Sequence, residues 1–225
     1  FRESFLPLTC LKNKKKLMKA TVAVLGLGSV GSVAAEYLAR AGLNLRLIDR
    51  DIVEETNLNR QLYEENEIGK PKASSLAARL KRINGAVSIN YFCEDFNSST
   101  AERLLAGVDM VIDGLDNFQS RFLLNDVCMK LKIPFIYASS IEGRGMVTSI
   151  IPGKTPCLMC IFQNKYSLDT CETAGIMPSV SGMIAMISVN EAVKYLAEIG
   201  KTLEGLLSAS LMDNRIEKLK VNKMP

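Results

Sequence analysis

Thr21-Val22-Ala23-Val24-Leu25-Gly26-Leu27-Gly28-Ser29-Val30-Gly31 is the stretch that decides the fold. Five strand-forming residues, the last four of them apolar, run straight into three spaced glycines. Residues 30–40 then carry apolar side chains at helical spacing. A strand over 21–25 therefore feeds a helix over 30–40 through a tight turn. Glycines let such a turn approach a phosphate group, which then lies on the helix N-terminus. A second strand over 44–48 ends in Asp49, where a carboxylate can take ribose hydroxyls. This pattern predicts a nucleotide site but does not choose between ATP and a dinucleotide. Taken alone, it favours a dehydrogenase.

Working outward, helical patterns at 72–83, 99–106 and 118–131 alternate with apolar runs at 87–92, 110–112 and 135–138. Strands that lack hairpin turns and are each followed by a helix imply parallel β-α-β crossovers. Beyond Ser140 the rhythm changes. Gly143, Gly145, Pro152, Gly153 and Pro156 predict an irregular region, closed by a helix over 179–199. Runs at 208–212 and 216–221 read as antiparallel strands. The expected architecture is α/β: a doubly wound, mainly parallel sheet with an irregular C-terminal part and added antiparallel strands. One domain over residues 1–225 suffices.

Composition removes several classes of chemistry. Of 225 residues, 48% are hydrophobic and 23% charged, which is ordinary for a globular chain. There is no histidine, so Ser-His-Asp and Cys-His catalysis and every His-ligated metal site are excluded. The net charge of +4 owes much to Lys12, Lys14, Lys15, Lys16 and Lys19, read as a solvated face and not as a DNA-binding surface. The first eleven residues are too short and too interrupted by Arg2, Glu3 and Pro7 for a secretory signal. The apolar stretch 176–189 contains Pro178, Gly182 and three serines, and reads as a buried helix before a membrane span. Six cysteines in that context read as reduced thiols or metal ligands, and a cytoplasmic location is expected. Cys10, Cys93 and Cys128 are expected to be buried small apolar residues.

Two further strings change the reading. Asp49-Arg50-Asp51 leads through Asn57-Leu58-Asn59-Arg60-Gln61 to Gly69-Lys70-Pro71-Lys72, and Asp113-Gly114-Leu115-Asp116-Asn117 follows at a strand end. Together they resemble the adenylation site of the ubiquitin-activating-enzyme superfamily. The likeness is nearest to the adenylyltransferases that serve molybdopterin-synthase and thiamine sulfur carriers. It runs from Arg2 to Met224, and it implies a Rossmann-like fold. A dehydrogenase does not explain Arg60, Lys72 or Asp116-Asn117.

The resemblance implies the following roles. ATP lies on Gly26, Gly28, Ser29 and Gly31, with Asp49, Asp51, Asn57, Gln61 and Asn117 around the nucleotide. Arg60 and Lys72 meet the triphosphate, and Asp116 holds Mg²⁺. The partner is a small ubiquitin-like or sulfur-carrier protein, whose C-terminal glycine is adenylated with release of pyrophosphate. That carboxylate has a pKa of roughly 3.5, so it is already anionic and needs no general base. A chain without histidine can therefore run the step. Arg2, in Arg2-Glu3-Ser4-Phe5-Leu6-Pro7, matches an arginine that reaches the neighbouring protomer's nucleotide, which implies a homodimer. Cys157 and Cys160 match half of a four-cysteine structural zinc knuckle; the second pair would fall about where this chain ends. Cys171 stands at the place of a reactive cysteine that forms a thioester or a sulfur-bearing intermediate, although Asp169 and Glu172 beside it disfavour a thiolate. Met146 departs from the glutamine that relatives often carry there. Two other readings of the same superfamily pattern are a tRNA-modifying dehydratase and a non-catalytic scaffold subunit.

Overall fold

The structure is a computed structural model that describes residues 13–162 and 175–223. Arg2, Cys10 and Cys171 lie outside the described residues. The chain runs α1 (Lys14–Lys19), β1 (Thr21–Leu25), α2 (Gly31–Arg40), β2 (Asn44–Ile48), α3 (Lys72–Ile83), β3 (Ile89–Phe92), α4 (Ala101–Leu105), β4 (Met110–Asp113) and α5 (Phe118–Leu131). It continues with β5 (Phe135–Ile141), β6 (Arg144–Ile150), α6 (Leu158–Phe162), α7 (Pro178–Ala197), β7 (Leu206–Ser210) and β8 (Arg215–Leu219). The eight strands form one sheet in the order β3-β2-β1-β4-β5-β6-β7-β8. The first five in that row are parallel, and β6, β7 and β8 are antiparallel additions.

Period-2 alternation sorts each central strand between two cores. Val22, Val24, Met110, Ile112, Ile136 and Ala138 pack with α2, α3 and α7 on one face. Ala23, Leu25, Val111, Phe135 and Tyr137 pack with α4, α5 and α6 on the other. Both faces are covered, so these strands read as near-continuous apolar runs. The chain builds β1-β2-β3 in one direction from β1 and β4-β5 in the other. The strand order therefore reverses between β1 and β4. In such sheets the crevice beyond the strands' C-terminal ends at that reversal receives ligands.

The stretch just after Ser140 is more regular than Gly143 and Gly145 predict, whereas residues 151–157 form turns and irregular chain as Pro152, Gly153 and Pro156 predict. β5 continues to Ile141, turns through Glu142 and Gly143, and returns as β6 in register with it. Glu142 takes a left-handed φ of 51°, as tight hairpins demand. Gly145 marks a close approach, because a Cβ there would sit 2.3 Å from Ile184 Cγ1 on α7. The two glycines are packing devices within a hairpin.

Other expectations shift by a residue or two. β7 lies two residues earlier than its run, β8 is one residue shorter than its run, and α7 ends at Ala197 because Glu198 turns left-handed at φ 55°. The part of the lysine run from Lys14 to Lys19 forms α1, with Leu17 fully buried while Lys15, Lys16 and Lys19 are exposed. Cys128 is buried as expected, but Cys93 is exposed. It follows β3, the edge strand, where only one neighbouring strand covers it. Among the described residues no helix is long and apolar enough to cross a membrane.

Candidate nucleotide site

A cavity of about 360 Å³ opens at the C-terminal ends of β1, β2, β4 and β5. Its floor is the glycine turn. Gly26 has φ +81°, and a Cβ on it would meet the Gly114 carbonyl oxygen at 2.6 Å. A Cβ on Gly31 would lie 1.8 Å from the Gly26 oxygen. Those two glycines let the turn, the first turn of α2 and the end of β4 interlock. Gly28 differs: its nearest neighbour would be Gln61 Nε2 at 3.9 Å, so its missing side chain leaves space on the cavity side.

Asp49 fixes the turn from the next strand. Its Oδ2 accepts from the Leu27 amide at 2.6 Å, and its Oδ1 accepts from the Asp51 amide at 2.8 Å. Burial raises the Asp49 pKa above the ordinary value, against the opposing pull of those two amides and of Lys72. The segment around residues 57–63 is tied to the same turn. Tyr63 Oη donates to the Leu27 carbonyl at 2.9 Å, and Ser32 Oγ accepts from the Leu62 amide at 3.2 Å. This brings Arg60 and Gln61 to the cavity wall. Arg60 donates to the Thr56 carbonyl at 2.7 Å and to Asn59 Oδ1 at 2.9 Å. Gln61 is buried, and its Oε1 has no hydrogen-bond partner among the described residues.

Lys72 is the first residue of α3 and only 7% exposed. Its Nζ lies 3.2 Å from Asp51 Oδ2. Across the cavity, Asp116 is exposed and accepts from Asn117 Nδ2 at 3.0 Å. Asn117 also caps α5, its Oδ1 accepting from the Ser120 amide at 2.9 Å. Beneath that loop Arg121 donates to Tyr137 Oη and the Ala138 carbonyl, each at 3.1 Å, and to the Leu115 carbonyl. Its guanidinium faces the fully buried Asp113 at 3.7 Å.

Of the residues singled out in the sequence, Gly26, Gly28, Ser29, Asp49, Asp51, Arg60, Gln61, Lys72, Asp116 and Asn117 line this one cavity. Gly31 and Asn57 do not. Gly31 lies behind the turn against Gly26. Asn57 is buried and shapes its own turn, its Oδ1 accepting from the Glu54 amide at 3.1 Å. Arg50, Glu94, Asp95, Phe96, Ser139 and Arg121 line the cavity without having been anticipated. Arg50 sits inside the quoted string and was legible by position. The others depend on which strand ends become neighbours. Met146 is not among the lining residues and packs partly buried against the core on the α5 face. Away from the cavity, Cys157 Sγ and Cys160 Sγ approach to 3.6 Å. No group of three or more Cys, Asp or Glu able to hold a metal occurs among the described residues.

The sequence profile of the ThiF family matches residues 2–225. The chain belongs to the ThiF family. It is 36% identical over 188 residues to the sulfur carrier protein ThiS adenylyltransferase of Bacillus subtilis (strain 168), covering 81% of this chain and 56% of that protein. It is 35% identical over 208 residues to the SAMP-activating enzyme E1 of Haloferax volcanii, covering 90% and 77% respectively. The chain thus spans little more than half of the first relative's length. Among solved structures, E. coli MccB with ATP superposes with a TM-score of 0.83 at 22% identity, covering 94% of this chain and 67% of that one. The MccB likeness is one of fold. The family match bears out the resemblance carried by residues 57–61 and by Asp116-Asn117.

Proposed function

We propose that this chain binds ATP in the cavity and transfers AMP to the C-terminal glycine carboxylate of a small ubiquitin-like or sulfur-carrier protein. The observation that carries the reading is the convergence of the glycine turn, Arg60, Lys72 and Asp116 on one cavity at the strand-order reversal. The names of the two relatives support a carrier protein as the acyl donor. The fit to a nucleotide is physical. Gly28 leaves the space that a phosphate needs, and the buried Gln61 Oε1, unpaired among the described residues, offers an acceptor to a ligand.

In the step itself a carboxylate oxygen bonds to the α-phosphorus. The bond from that phosphorus to the bridging oxygen breaks, and pyrophosphate leaves with the electron pair. An anion must approach an anion, so placement and charge stabilisation supply most of the rate. Lys72 and Arg60 provide fixed positive charge. Asp116 presents a carboxylate at the cavity mouth with only one hydrogen bond among the described residues, which suits a Mg²⁺ ligand. Mg²⁺ would neutralise phosphate oxygens. Cys171 would act after adenylation, in thioester or sulfur transfer. Arg2 would reach the nucleotide of a second protomer in a homodimer. Cys157 and Cys160 would give two of four zinc ligands. Bonds of about 2.3 Å at the tetrahedral angle separate two sulfurs by roughly 3.8 Å, close to the distance seen here. A cytoplasmic location fits an ATP-dependent reaction run by reduced thiols.

Exchange of labelled pyrophosphate into ATP, measured with a panel of purified carriers, tests the proposal. One carrier should support exchange, and amidation of its terminal carboxylate should abolish it. Tight ATP binding with no exchange for any carrier would overturn the assignment of a protein carboxylate.

A further inference from the structure

Asp51 reads from the sequence as a nucleotide contact, yet both of its carboxylate oxygens face cations of this chain. Oδ2 lies 3.2 Å from Lys72 Nζ, and Oδ1 lies 3.6 Å from Arg50 Nε. Arg50 in turn donates from Nη1 to Asp95 Oδ1 at 3.1 Å. Asp95, Arg50, Asp51 and Lys72 thus form a row of alternating charge along one cavity wall, from the loop after β3 to the start of α3. The backbone reinforces it. The Lys72 amide donates to the Asp51 carbonyl at 2.9 Å, and the Asp51 amide donates to Asp49 Oδ1 at 2.8 Å. Residues 53 and 69–70 are paired next to it, through Val53 N to Lys70 O and Gly69 N to Val53 O, each 2.9 Å.

We infer that Asp51 is a positioning residue for Lys72, anchored by Arg50 and Asp95, and does not itself bind the nucleotide or its metal. The inference rests on the ATP site proposed above. A carboxylate presented directly to a triphosphate would repel it, whereas one with a cation facing each oxygen repels it less. A lysine side chain is long and loses much rotamer freedom when fixed. Its ammonium carries three donors. With one given to Asp51, two remain for phosphate oxygens, and the side chain is already placed when ATP arrives.

A double-mutant cycle reads this directly. ATP affinity is measured by calorimetry, without any carrier, for the wild-type protein, Asp51→Ala, Lys72→Ala and the double variant. Asp51→Ala should weaken ATP binding by about tenfold, the equivalent of one placed contact. The double variant should bind within about twofold of Lys72→Ala alone, since Asp51 acts through Lys72. Asp51→Asn keeps an acceptor for the ammonium and should recover part of the loss; it replaces the alanine variant in the cycle should that fail to fold. Arg50→Ala should cost about threefold, and nothing further once Asp51 is already alanine. Losses that multiply in the Asp51/Lys72 double variant would show that Asp51 reaches the nucleotide or metal itself. Wild-type affinity in Asp51→Ala would equally overturn the inference. Because ATP binding is the readout, failure to activate any carrier would count against the proposed reaction and leave this result standing.

Discussion

Asp116 owes its place to the end of β4 and its exposure to the turn that Asn117 caps. Its side chain supports no packing, so Asp116→Ala should fold with wild-type stability. Mg²⁺-dependent ATP–pyrophosphate exchange should nevertheless fall by two orders of magnitude or more, on the order of removing one preorganised electrostatic group. Exchange near the wild-type rate would remove Asp116 from the mechanism. Asp113, three residues earlier, has the opposite environment. Burial pushes its carboxyl up to about 6, outweighing Arg121 and the Leu115 amide, which pull it down. An unfolded aspartate titrates near roughly 3.9. Below that value both states are protonated and the group is neutral to stability. As pH rises from there to about 6, the unfolded state releases its proton while the folded state keeps it, so stability falls. The loss is complete once the folded group has also ionised above about 6. A shift of about two pH units corresponds to roughly 3 kcal/mol. Urea unfolding of wild type and Asp113→Asn should therefore diverge by about that amount between pH 4 and pH 7, to the wild type's disadvantage as pH rises. Parallel curves would mean that Arg121 compensates the charge fully.

The glycine turn is the element on which the site stands, and two of its glycines should fail in different ways. A Cβ on Gly31 would collide with the Gly26 carbonyl, a backbone atom that cannot move without breaking the β1–α2 junction. Gly31→Ala should destabilise the protein by about 3 kcal/mol or more. Gly28→Ala meets nothing closer than 3.9 Å and should change stability by less than about 0.5 kcal/mol. Its methyl group occupies phosphate space, so ATP affinity should drop at least about tenfold. Chemical denaturation and calorimetry on both variants separate the two effects. β1, β2, α3 and α5 match their sequence patterns residue for residue. The β5–β6 hairpin was missed because Gly143 and Gly145 carry a breaker's identity while serving a turn and a close helix contact.

At the scale of the whole molecule, the parallel half of the sheet makes the cavity and the antiparallel half extends it away from the nucleotide end. The proposed homodimer adds Arg2 to a neighbour's site, and mixing two inactive variants tests that. Arg2→Ala and Lys72→Ala should each lose exchange activity by orders of magnitude, as arginine contacts in other phosphate enzymes do. In a mixed dimer the Arg2→Ala protomer brings an intact pocket and the Lys72→Ala protomer brings an intact Arg2. One competent site is rebuilt, and exchange should partly return. No recovery despite verified subunit exchange would place Arg2 in cis or outside the reaction.

The sequence alone determined the β-α-β order, the glycine turn and the family, because these are written in local periodicity and contiguous strings. It also named most of the cavity's polar side chains, since Arg60, Lys72 and Asp116 occur in strings too specific for chance. It did not determine which of those side chains face a ligand and which face each other. Asn57 turned out to shape its own turn, and Asp51 to face Lys72 and Arg50. Phe96, Ser139 and Arg121 entered the site only because β1, β4 and β5 lie side by side with β2 beyond β1. Strand order is set by burying two cores at once on opposite faces of one sheet, a long-range balance that no window of sequence contains.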